Sequence, residues 1–415
     1  IASCLVGSEM CIRDRDTSLV PLDGKQALTG PARIFVPRWP RGAFFMGGSQ
    51  PLKTRIKLGV LFSSSGAYEL LGQACRDGAL GAIAAVNADP SRRIAFDTVE
   101  ADPEGRIDAY APLCVDMLNR SGVRHIVGCI TSWSRKEVIP MLEKHDGLLW
   151  YPAPYEGYEA NDHVVYMNAA PNQHLVPLFR HVAARYGRDG FLVGSNYIWG
   201  WEMNRIARDL VADAGGHPKG ERYLPLGDTD VARLIAEIRA CEPDFILNNL
   251  IGASSYGFYA AYAALGREDA RFSPELRPIL SCNMTEQELP SIAPHGDGHL
   301  SCLPFMYRGG TGPRSSFEAA AHAAVTVLAD AVEAAGTDDP PAVRLALAKG
   351  THQTALGPIR IDMPTQHCAL PARIGRIAGT RFEILETSSG AVEPDPYLSR
   401  YDPATLYQPA LRLVR

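Results

Sequence analysis

Short apolar runs alternate with longer segments of helical periodicity along most of the chain. The runs at 56–62, 94–100 and 125–128 predict strands, because each is rich in apolar residues and ends in small or polar ones. The segments at 68–87 and 107–120 repeat apolar residues at helical spacing and predict helices between those strands. This alternation predicts a parallel sheet covered by helices.

A second series of the same kind follows the first. Its strands and helices are predicted at 190–194, 202–214, 221–225, 231–240, 245–249, 254–265 and 278–281. A long Ala-rich helix at 316–335 and strand-like pieces at 357–362, 372–378 and 382–385 end the pattern. Strands that follow helices at this point indicate that the chain returns between two lobes.

These patterns divide the chain into two α/β lobes with flanking segments. The predicted boundaries are 1–52 for an unstructured extension, 53–170 and 304–350 for an N-terminal lobe, 171–303 and 351–392 for a C-terminal lobe, and 393–415 for an extended tail. Within the extension, residues 4–15 resemble translated sequencing-adapter sequence, and Met46 is the expected natural start.

Charge and cysteine content narrow the class of protein. The 415 residues include 41 basic and 46 acidic ones, a net charge of -5 without a long basic run, which argues against direct binding to nucleic acid or to a membrane surface. The nine cysteines form no Cys-x-x-Cys pair, which favours free thiols in a reducing compartment over a disulfide framework or a zinc site. No apolar run reaches the roughly 18 residues of a membrane-spanning helix. The sequence therefore predicts a cytoplasmic protein with no metal, no cofactor and no membrane insertion.

Two strand ends carry the candidate chemistry. At 127–137 and 148–157, a short apolar strand breaks into a loop of small, hydroxylic and aromatic residues. Ser134 and Glu137 have the spacing of a capping box, so a helix is expected to begin there. Strand ends and helix N-termini meet in the crevice where open α/β sheets bind ligands. We therefore expect a ligand site at these two loops.

Several motifs resemble one protein family. The runs Tyr-Pro-Ala-Pro-Tyr-Glu-Gly at 151–157, Ser-Arg-Lys at 134–136 and Gly-Ser-Asn-Tyr-Ile at 194–198 are similar to the amide and urea branch of the type I periplasmic-binding-protein family. The resemblance covers about residues 46–397. It implies the type I α/β fold, with two doubly wound parallel-sheet lobes joined by a three-segment hinge. It also implies that the lobes close around a small aliphatic amide or urea-like ligand.

The resemblance implies two alternative roles, neither of them enzymatic. One is a cytoplasmic sensor that negatively regulates amidase expression through an RNA-binding antiterminator. The other is the substrate-binding protein of an ABC transporter for urea, short amides or branched-chain amino acids. Such a protein would be periplasmic and would bind an ABC permease. The regulator is the main expectation and the transporter component the alternative. A homodimer is expected in addition.

The resemblance also assigns candidate ligand-binding residues. They are Ser132, Tyr151, Ala153, Pro154, Tyr155, Tyr197, Trp199, Ile130 and Ser64. Ile130 and Ala153 stand where the family's amide pocket has a tyrosine and a threonine, and Trp199 replaces a tyrosine nearby. An uncharged amide needs fixed dipoles rather than a charged clamp. A ceiling of about -1.5 kcal/mol per heavy atom limits acetamide to about -6 kcal/mol, a Kd of tens of micromolar.

Plainer interpretations of the same residues stay open. Ser132 is also explained by the usual enrichment of serine near helix starts. Tyr151 and Tyr197 are also explained as core aromatics with satisfied hydroxyl groups. For Glu156 a structural role, in an ion pair or a cap, is favoured over ligand contact.

An amidase is the enzymatic alternative, since Cys129, Lys136 and Glu137 supply the residue types of a nucleophile, an acid and a base. Lys136 and Glu137 are adjacent on one predicted helix and so point about 100° apart. The sequence also lacks a nucleophile elbow, a phosphate loop and a zinc-protease motif. These observations argue against catalysis, and no catalytic residue is predicted.

Overall fold

The computed structural model describes residues 52–348 and 350–406. The fifteen strands of this part form two sheets, each covered by helices. The strands are β1 Thr54–Leu61, β2 Ile94–Ala101, β3 His125–Gly128, β4 Leu148–Tyr151, β5 Val164–Tyr166, β6 Gly190–Ser195, β7 Pro218–Leu224, β8 Phe245–Asn249, β9 Ile279–Ser281, β10 Leu300–Leu303, β11 His352–Thr354, β12 Gly357–Asp362, β13 His367–Ala369, β14 Arg373–Ala378 and β15 Arg381–Thr387.

The helices alternate with the strands as the sequence predicts. They are α1 Glu69–Ala88, α2 Tyr110–Asn119, α3 Ser132–Lys144, α4 Pro171–Ala183, α5 Ile198–Asp213, α6 Ala232–Cys241, α7 Ala253–Glu268, α8 Leu289–Ile292, α9 Ser316–Ala335 and α10 Pro340–Leu347. Short 3-10 turns occur at Ile107–Ala109, Ala270–Phe272 and Pro403–Leu406. In the described part of the chain, no helix is both long and apolar enough to cross a bilayer.

The first sheet forms the N-terminal lobe and has the strand order β11-β12-β13-β5-β4-β3-β1-β2. Its central strands run parallel, with Leu58 of β1 opposite His125 of β3. Strands β3, β4 and β5 are buried along their whole length, as expected for parallel strands covered on both faces. The Ala-rich helix α9 packs against α1, where the Cβ that Gly78 lacks would lie 2.1 Å from the Glu318 carbonyl oxygen.

The second sheet forms the C-terminal lobe and has the order β15-β14-β10-β9-β8-β6-β7. Strands β6 to β10 run parallel to one another, whereas β14 pairs antiparallel with β10 and with the edge strand β15. The chain passes between the sheets three times: after β5, after β10 and between β13 and β14. Two parallel-sheet lobes joined by three crossings confirm the predicted fold class.

The predicted boundary at residue 351 is wrong for the segment that follows it. Strands β11, β12 and β13 join the N-terminal sheet, where His367 of β13 pairs with Tyr166 of β5. Alternate residues of β12 face that lobe's core, with Ile359 and Ile361 buried. Only β14 and β15 reach the C-terminal sheet. The predicted extension, except for Leu52, and the end of the predicted tail, 407–415, lie outside the described residues.

A glycine at the start of one helix in each lobe lets that helix approach a strand end closely. A Cβ on Gly72 of α1 would lie 2.0 Å from the carbonyl oxygen of Ser63, and one on Gly200 of α5 would lie 2.1 Å from that of Ser195. No other residue type fits such a distance without a backbone shift. Both helix starts therefore sit directly behind the loops that face the opposite lobe.

Two buried carboxyl groups lie in the C-terminal lobe, on Glu286 and Glu288. Burial raises the pKa of each to about 7, although Tyr256 donates a hydrogen bond to Glu288 at 2.9 Å. The folded-state pKa lies above the unfolded value of about 4.3, so these groups stabilise the fold at low pH and that stability is lost as the pH rises towards 7.

We expect Glu288→Gln to remove part of this pH dependence. Between pH 5 and pH 8, the free energy of unfolding in urea should fall by about 2 kcal/mol less in the variant than in the wild type. Glu275→Gln, at an exposed position of the same lobe, is the control and should keep the wild-type difference. Equal losses in the wild type and in Glu288→Gln would contradict the prediction.

Candidate functional site

A small cavity, called here the interlobe cavity, lies between the two lobes at the carboxyl ends of their parallel strands. This is the position where open α/β sheets bind ligands. It is lined by Tyr68, Leu71, Ile130, Thr131, Ser132, Tyr151, Pro154, Tyr197, Trp199, Ile251, Asn283 and Phe317. It leaves about 20 Å³ for the centre of a water-sized sphere.

One wall of the cavity is the start of α3, which begins earlier than predicted. The N-cap is Thr131, whose Oγ1 accepts a hydrogen bond from the Ser134 backbone N–H at 2.9 Å, while Ser134 Oγ accepts one from the Thr131 N–H at 3.1 Å. The predicted capping pair, Ser134 with Glu137, is therefore wrong. Because the helix starts at Ser132, that residue is fixed at the cavity wall by the cap rather than held in a free loop.

Ser132 is linked to a buried ionic cluster. Its Oγ lies 2.7 Å from Glu156 Oε2, and Arg135 donates to Glu156 Oε1 at 2.8 Å. Arg135 also donates from Nε to Glu159 Oε1 at 2.7 Å, and Lys136 Nζ lies 2.7 Å from Glu159 Oε2. Burial opposes ionisation of Glu159, but these two cations hold its pKa at about 2. The structural role favoured for Glu156 is thus observed, together with a direct contact to a cavity residue.

Arg135 is fully buried and enclosed by aromatic rings. Its guanidinium carbon lies 4.8 Å from the ring centroid of Tyr151, 4.7 Å from that of Tyr155 and 6.0 Å from that of Tyr166. Tyr155 points away from the interlobe cavity, since its hydroxyl donates to the Glu159 carbonyl oxygen at 2.6 Å. Tyr151, like Ser132, therefore contacts both the cavity and the ionic cluster.

The opposite wall comes from the turn between β6 and α5 in the C-terminal lobe. Tyr197 packs edge-on against Tyr68 at 6.3 Å and against Trp133 at 5.5 Å, so its ring joins the lobes. Trp199 lines the cavity, and its buried Nε1–H has no hydrogen-bond partner among the described residues. A buried donor without a partner costs about 1–3 kcal/mol, which a bound acceptor would recover.

The structure brings six of the nine predicted site residues together at the interlobe cavity: Ile130, Ser132, Tyr151, Pro154, Tyr197 and Trp199. Ala153 and Tyr155 are buried beside it without lining it. Ser64 lies elsewhere, in a surface depression where it hydrogen-bonds Asp102. These three therefore do not line the interlobe cavity. For all nine residues, a role in ligand binding stays a prediction.

Sequence reasoning missed six lining residues: Tyr68, Leu71, Thr131, Ile251, Asn283 and Phe317. Ile251 and Asn283 each lie two residues after the end of a strand, β8 and β9 respectively, so the rule that ligands sit at the carboxyl ends of strands could have found them. Phe317 does not follow a strand end, so this rule does not identify it. It reaches the cavity because the second crossing places the start of α9 there.

At neutral pH the side chains that line the cavity carry no charge, and their tyrosine hydroxyl groups are protonated. Of the described residues that line it, none is Asp, Glu, Lys, Arg or His. Burial raises the pKa values of Tyr68, Tyr151 and Tyr197 further above the ordinary value for tyrosine, so their hydroxyl groups keep their protons. The site therefore offers hydroxyl groups, an indole N–H and aromatic faces, but no counter-ion.

The residues of the amidase alternative do not form a catalytic centre. Cys129 is buried, and burial raises the pKa of its thiol. Lys136 pairs with Glu159, and Glu137 is exposed on the outer face of α3. A protonated thiol apart from a base is a poor nucleophile.

Solved structures with the same fold include several solute-binding proteins. An ABC transporter solute binding protein from R. palustris, in complex with 4-hydroxybenzoate, is 21% identical over 81% of this chain and 98% of its own, with a TM-score of 0.69. The branched-chain amino acid transporter substrate binding protein LivJ from Streptococcus pneumoniae, in complex with isoleucine, is 17% identical over 82% and 100%, with a TM-score of 0.68. An ABC transporter substrate-binding protein from Sphaerobacter thermophilus is 17% identical over 82% and 99%, with a TM-score of 0.70.

At these identities the similarity establishes the fold and leaves the ligand open. A sequence model of one family, described as the periplasmic binding protein domain, matches residues 56–308 and 307–403. The match spans both lobes and all three crossings. This family and the solved structures above are ligand-binding proteins rather than enzymes. The chain described here belongs to the periplasmic binding protein domain family.

Proposed function

We propose that the chain binds a small, uncharged amide or urea-like molecule in the interlobe cavity, as the substrate-binding protein of an ABC transporter. The observation that carries the proposal is the lining, which pairs polar groups with aromatic walls and, among the described residues, includes no charged side chain. The Trp199 Nε1–H is available to an amide oxygen, and the Ser132 hydroxyl to an amide nitrogen.

The size of the cavity supports a ligand of few atoms. The sphere of a single water molecule occupies roughly 10–15 Å³. The cavity offers about 20 Å³ to the centres of such spheres alone, so it holds a molecule larger than one water. A molecule with about four heavy atoms, such as acetamide or urea, therefore fits with small side-chain movements. A benzoate ring requires the lobes to open further.

The uncharged lining of the cavity argues against the kind of ligand that the structural relatives of this chain bind. Two of them hold 4-hydroxybenzoate and isoleucine. Both ligands carry a carboxyl group, and burying a carboxylate without a counter-ion is strongly unfavourable. The uncharged lining supports a neutral ligand instead.

The transporter role is supported by the relatives, which are described as components of ABC transporters. The regulator of amidase expression, with its RNA-binding antiterminator, is the second candidate function. One observation favours it: among the described cysteines, six of seven free thiols are buried and the seventh is partly buried. Reduced thiols are typical of the cytoplasm. The homodimer stays a prediction under either role.

Binding is tested by titrating the protein with acetamide, urea, butyramide, acetate and leucine while recording tryptophan fluorescence and, separately, heat. Trp199 lines the cavity and Trp133 contacts Tyr197, so occupation of the site should change their emission. We expect saturation by acetamide or urea with a Kd of tens of micromolar or weaker. Saturation by leucine alone would contradict the proposal.

The transporter role and the regulator role differ in the partner that the protein binds. The genes beside this one identify either a permease or an antiterminator to be produced with the protein. A transporter component should raise the ATPase rate of the reconstituted permease only when its ligand is present. A regulator should instead bind or release the antiterminator according to ligand. Ligand-dependent antiterminator binding without an effect on any permease would move the function to the second candidate.

Replacing Trp199 with phenylalanine should weaken acetamide binding about tenfold, since it removes one hydrogen bond to the ligand. No hydrogen bond within the protein should be lost, because the donor has no partner among the described residues. Trp201→Phe is the matched control: Trp201 lies on the same helix, is exposed and donates to Asn196. Calorimetric titration of the three proteins measures the effect. Equal affinities for Trp199→Phe and the wild type would contradict the assigned contact.

A further inference from the structure

We infer that Glu156 sets the hydrogen-bond polarity of the interlobe cavity: it fixes Ser132 as an acceptor, so the site selects ligands that present an N–H and rejects carboxylates of the same shape. This inference rests on the proposed function and goes beyond it, because it names the residue that distinguishes an amide from its acid. Glu156 does not line the cavity and acts through Ser132.

The direction of one hydrogen bond carries the inference. A carboxylate has no proton to give, so the contact of 2.7 Å between Ser132 Oγ and Glu156 Oε2 uses the serine O–H as donor. Serine has a single proton on its hydroxyl. What remains of Ser132 on the cavity side is therefore lone pairs, which accept a hydrogen bond and repel another acceptor.

Arg135 keeps Glu156 in this acceptor state. The guanidinium is fully buried, lies 2.8 Å from Glu156 Oε1 and cannot lose its proton in a protein. Its neighbour Lys136 and the second carboxylate, Glu159, complete a cluster of two cations and two anions. The cluster is thus neutral as a whole and leaves no net positive field to attract an anionic ligand.

Acetamide and acetate differ only at the group that would meet Ser132. With its oxygen held by another donor, acetamide presents an NH2 group to the serine lone pairs. Acetate presents a second oxygen there, with the Glu156 carboxylate 2.7 Å behind the serine. Two acceptors in contact cannot form a hydrogen bond, and the anion is also buried without a counter-ion. The same geometry favours urea and other small amides over the corresponding acids.

Glu156→Gln reverses the polarity without changing the shape. Arg135 can only donate, so the glutamine carbonyl must face it and the glutamine NH2 must face Ser132. Ser132 Oγ then accepts this hydrogen bond, and its proton becomes available to the cavity. We expect the Kd for acetamide to rise about tenfold, and the ratio of the acetate Kd to the acetamide Kd to fall by at least about tenfold.

Glu159→Gln is the matched control, since Glu159 also binds Arg135 but does not contact Ser132. It should lower the melting temperature while leaving the ratio of the two Kd values unchanged. Ser132→Ala is the second variant, in case Glu156→Gln does not fold. Because it removes the lone pairs, it should weaken acetamide binding and narrow the ratio.

The experiment is calorimetric titration of the four proteins with acetamide and acetate. A ratio that falls in Glu156→Gln and not in Glu159→Gln supports the inference. The same ratio in the wild type, in Glu156→Gln and in Ser132→Ala, with acetamide still bound, would overturn it and leave the proposed function intact. A wild-type protein that prefers acetate, or that binds neither molecule, would overturn both.

Discussion

Replacing Arg135 with methionine is expected to lower the free energy of unfolding by about 3–5 kcal/mol, the largest effect of any single change proposed for this chain. Methionine fills most of the volume but leaves the Glu156 and Glu159 carboxylates without the cation that they share. A buried charge that loses its partner costs far more than the pair gains relative to an apolar core. The cation contacts with Tyr151 and Tyr155 are lost as well.

Urea unfolding followed by circular dichroism measures this loss. Lys136→Met is the control, because Lys136 contacts the same Glu159 from an exposed position. It should cost less than about 1 kcal/mol, as surface ion pairs do. Similar losses for the two variants would show that burial does not control the energy of the cluster.

The second large effect is expected from Gly200→Ala. The new Cβ would lie 2.1 Å from the Ser195 carbonyl oxygen, so α5 must move away from the end of β6. Overpacking of this kind costs up to about 3 kcal/mol. The shift carries Trp199 with it, so the Kd for acetamide should rise at least about tenfold. Urea unfolding and calorimetric titration measure the two effects.

Gly81→Ala controls for the chemical change itself. Gly81 also lies within a helix, but no atom lies within 4 Å of its missing Cβ. Alanine there should stabilise the protein by about 0.5–1 kcal/mol, as expected for glycine replaced in a helix, and leave ligand affinity unchanged. If Gly200→Ala behaved like Gly81→Ala, the close approach of α5 to β6 would not matter for the site.

Much of the fold could be predicted from hydrophobic periodicity, because the period of a long apolar pattern shows whether the segment is a helix or a strand. The helix predicted at 316–335 has those bounds in the structure, as α9, and the strand predicted at 56–62 appears at Thr54–Leu61. Strands β11 and β13 were not predicted, since their sequences, His-Gln-Thr and His-Cys-Ala, do not form an apolar run. Their sheet was also mistaken, because pairing depends on contacts between distant segments that periodicity does not record.

Some features of the candidate site could likewise be predicted from the sequence, and others could not. Residues at strand ends, such as Ser132 and Tyr151, could be predicted because the ends of parallel strands lie at one edge of a sheet. The contact between Ser132 and Glu156 could not, since it depends on how the loop after β4 folds back onto α3. The orientation of Tyr155 away from the cavity has the same origin: its hydroxyl is used within that loop.

The three crossings also have a consequence for how the protein is made. The sheet that begins with β1 is completed by β13, which ends at Ala369, after every parallel strand of the other sheet has been synthesised. The other sheet is complete only once β15, which ends at Thr387, has been synthesised. Neither lobe can finish folding on the ribosome before nearly the whole chain has emerged, so contacts of long sequence separation should limit the folding rate. Premature termination before residue 369 leaves two open sheet edges rather than one finished domain.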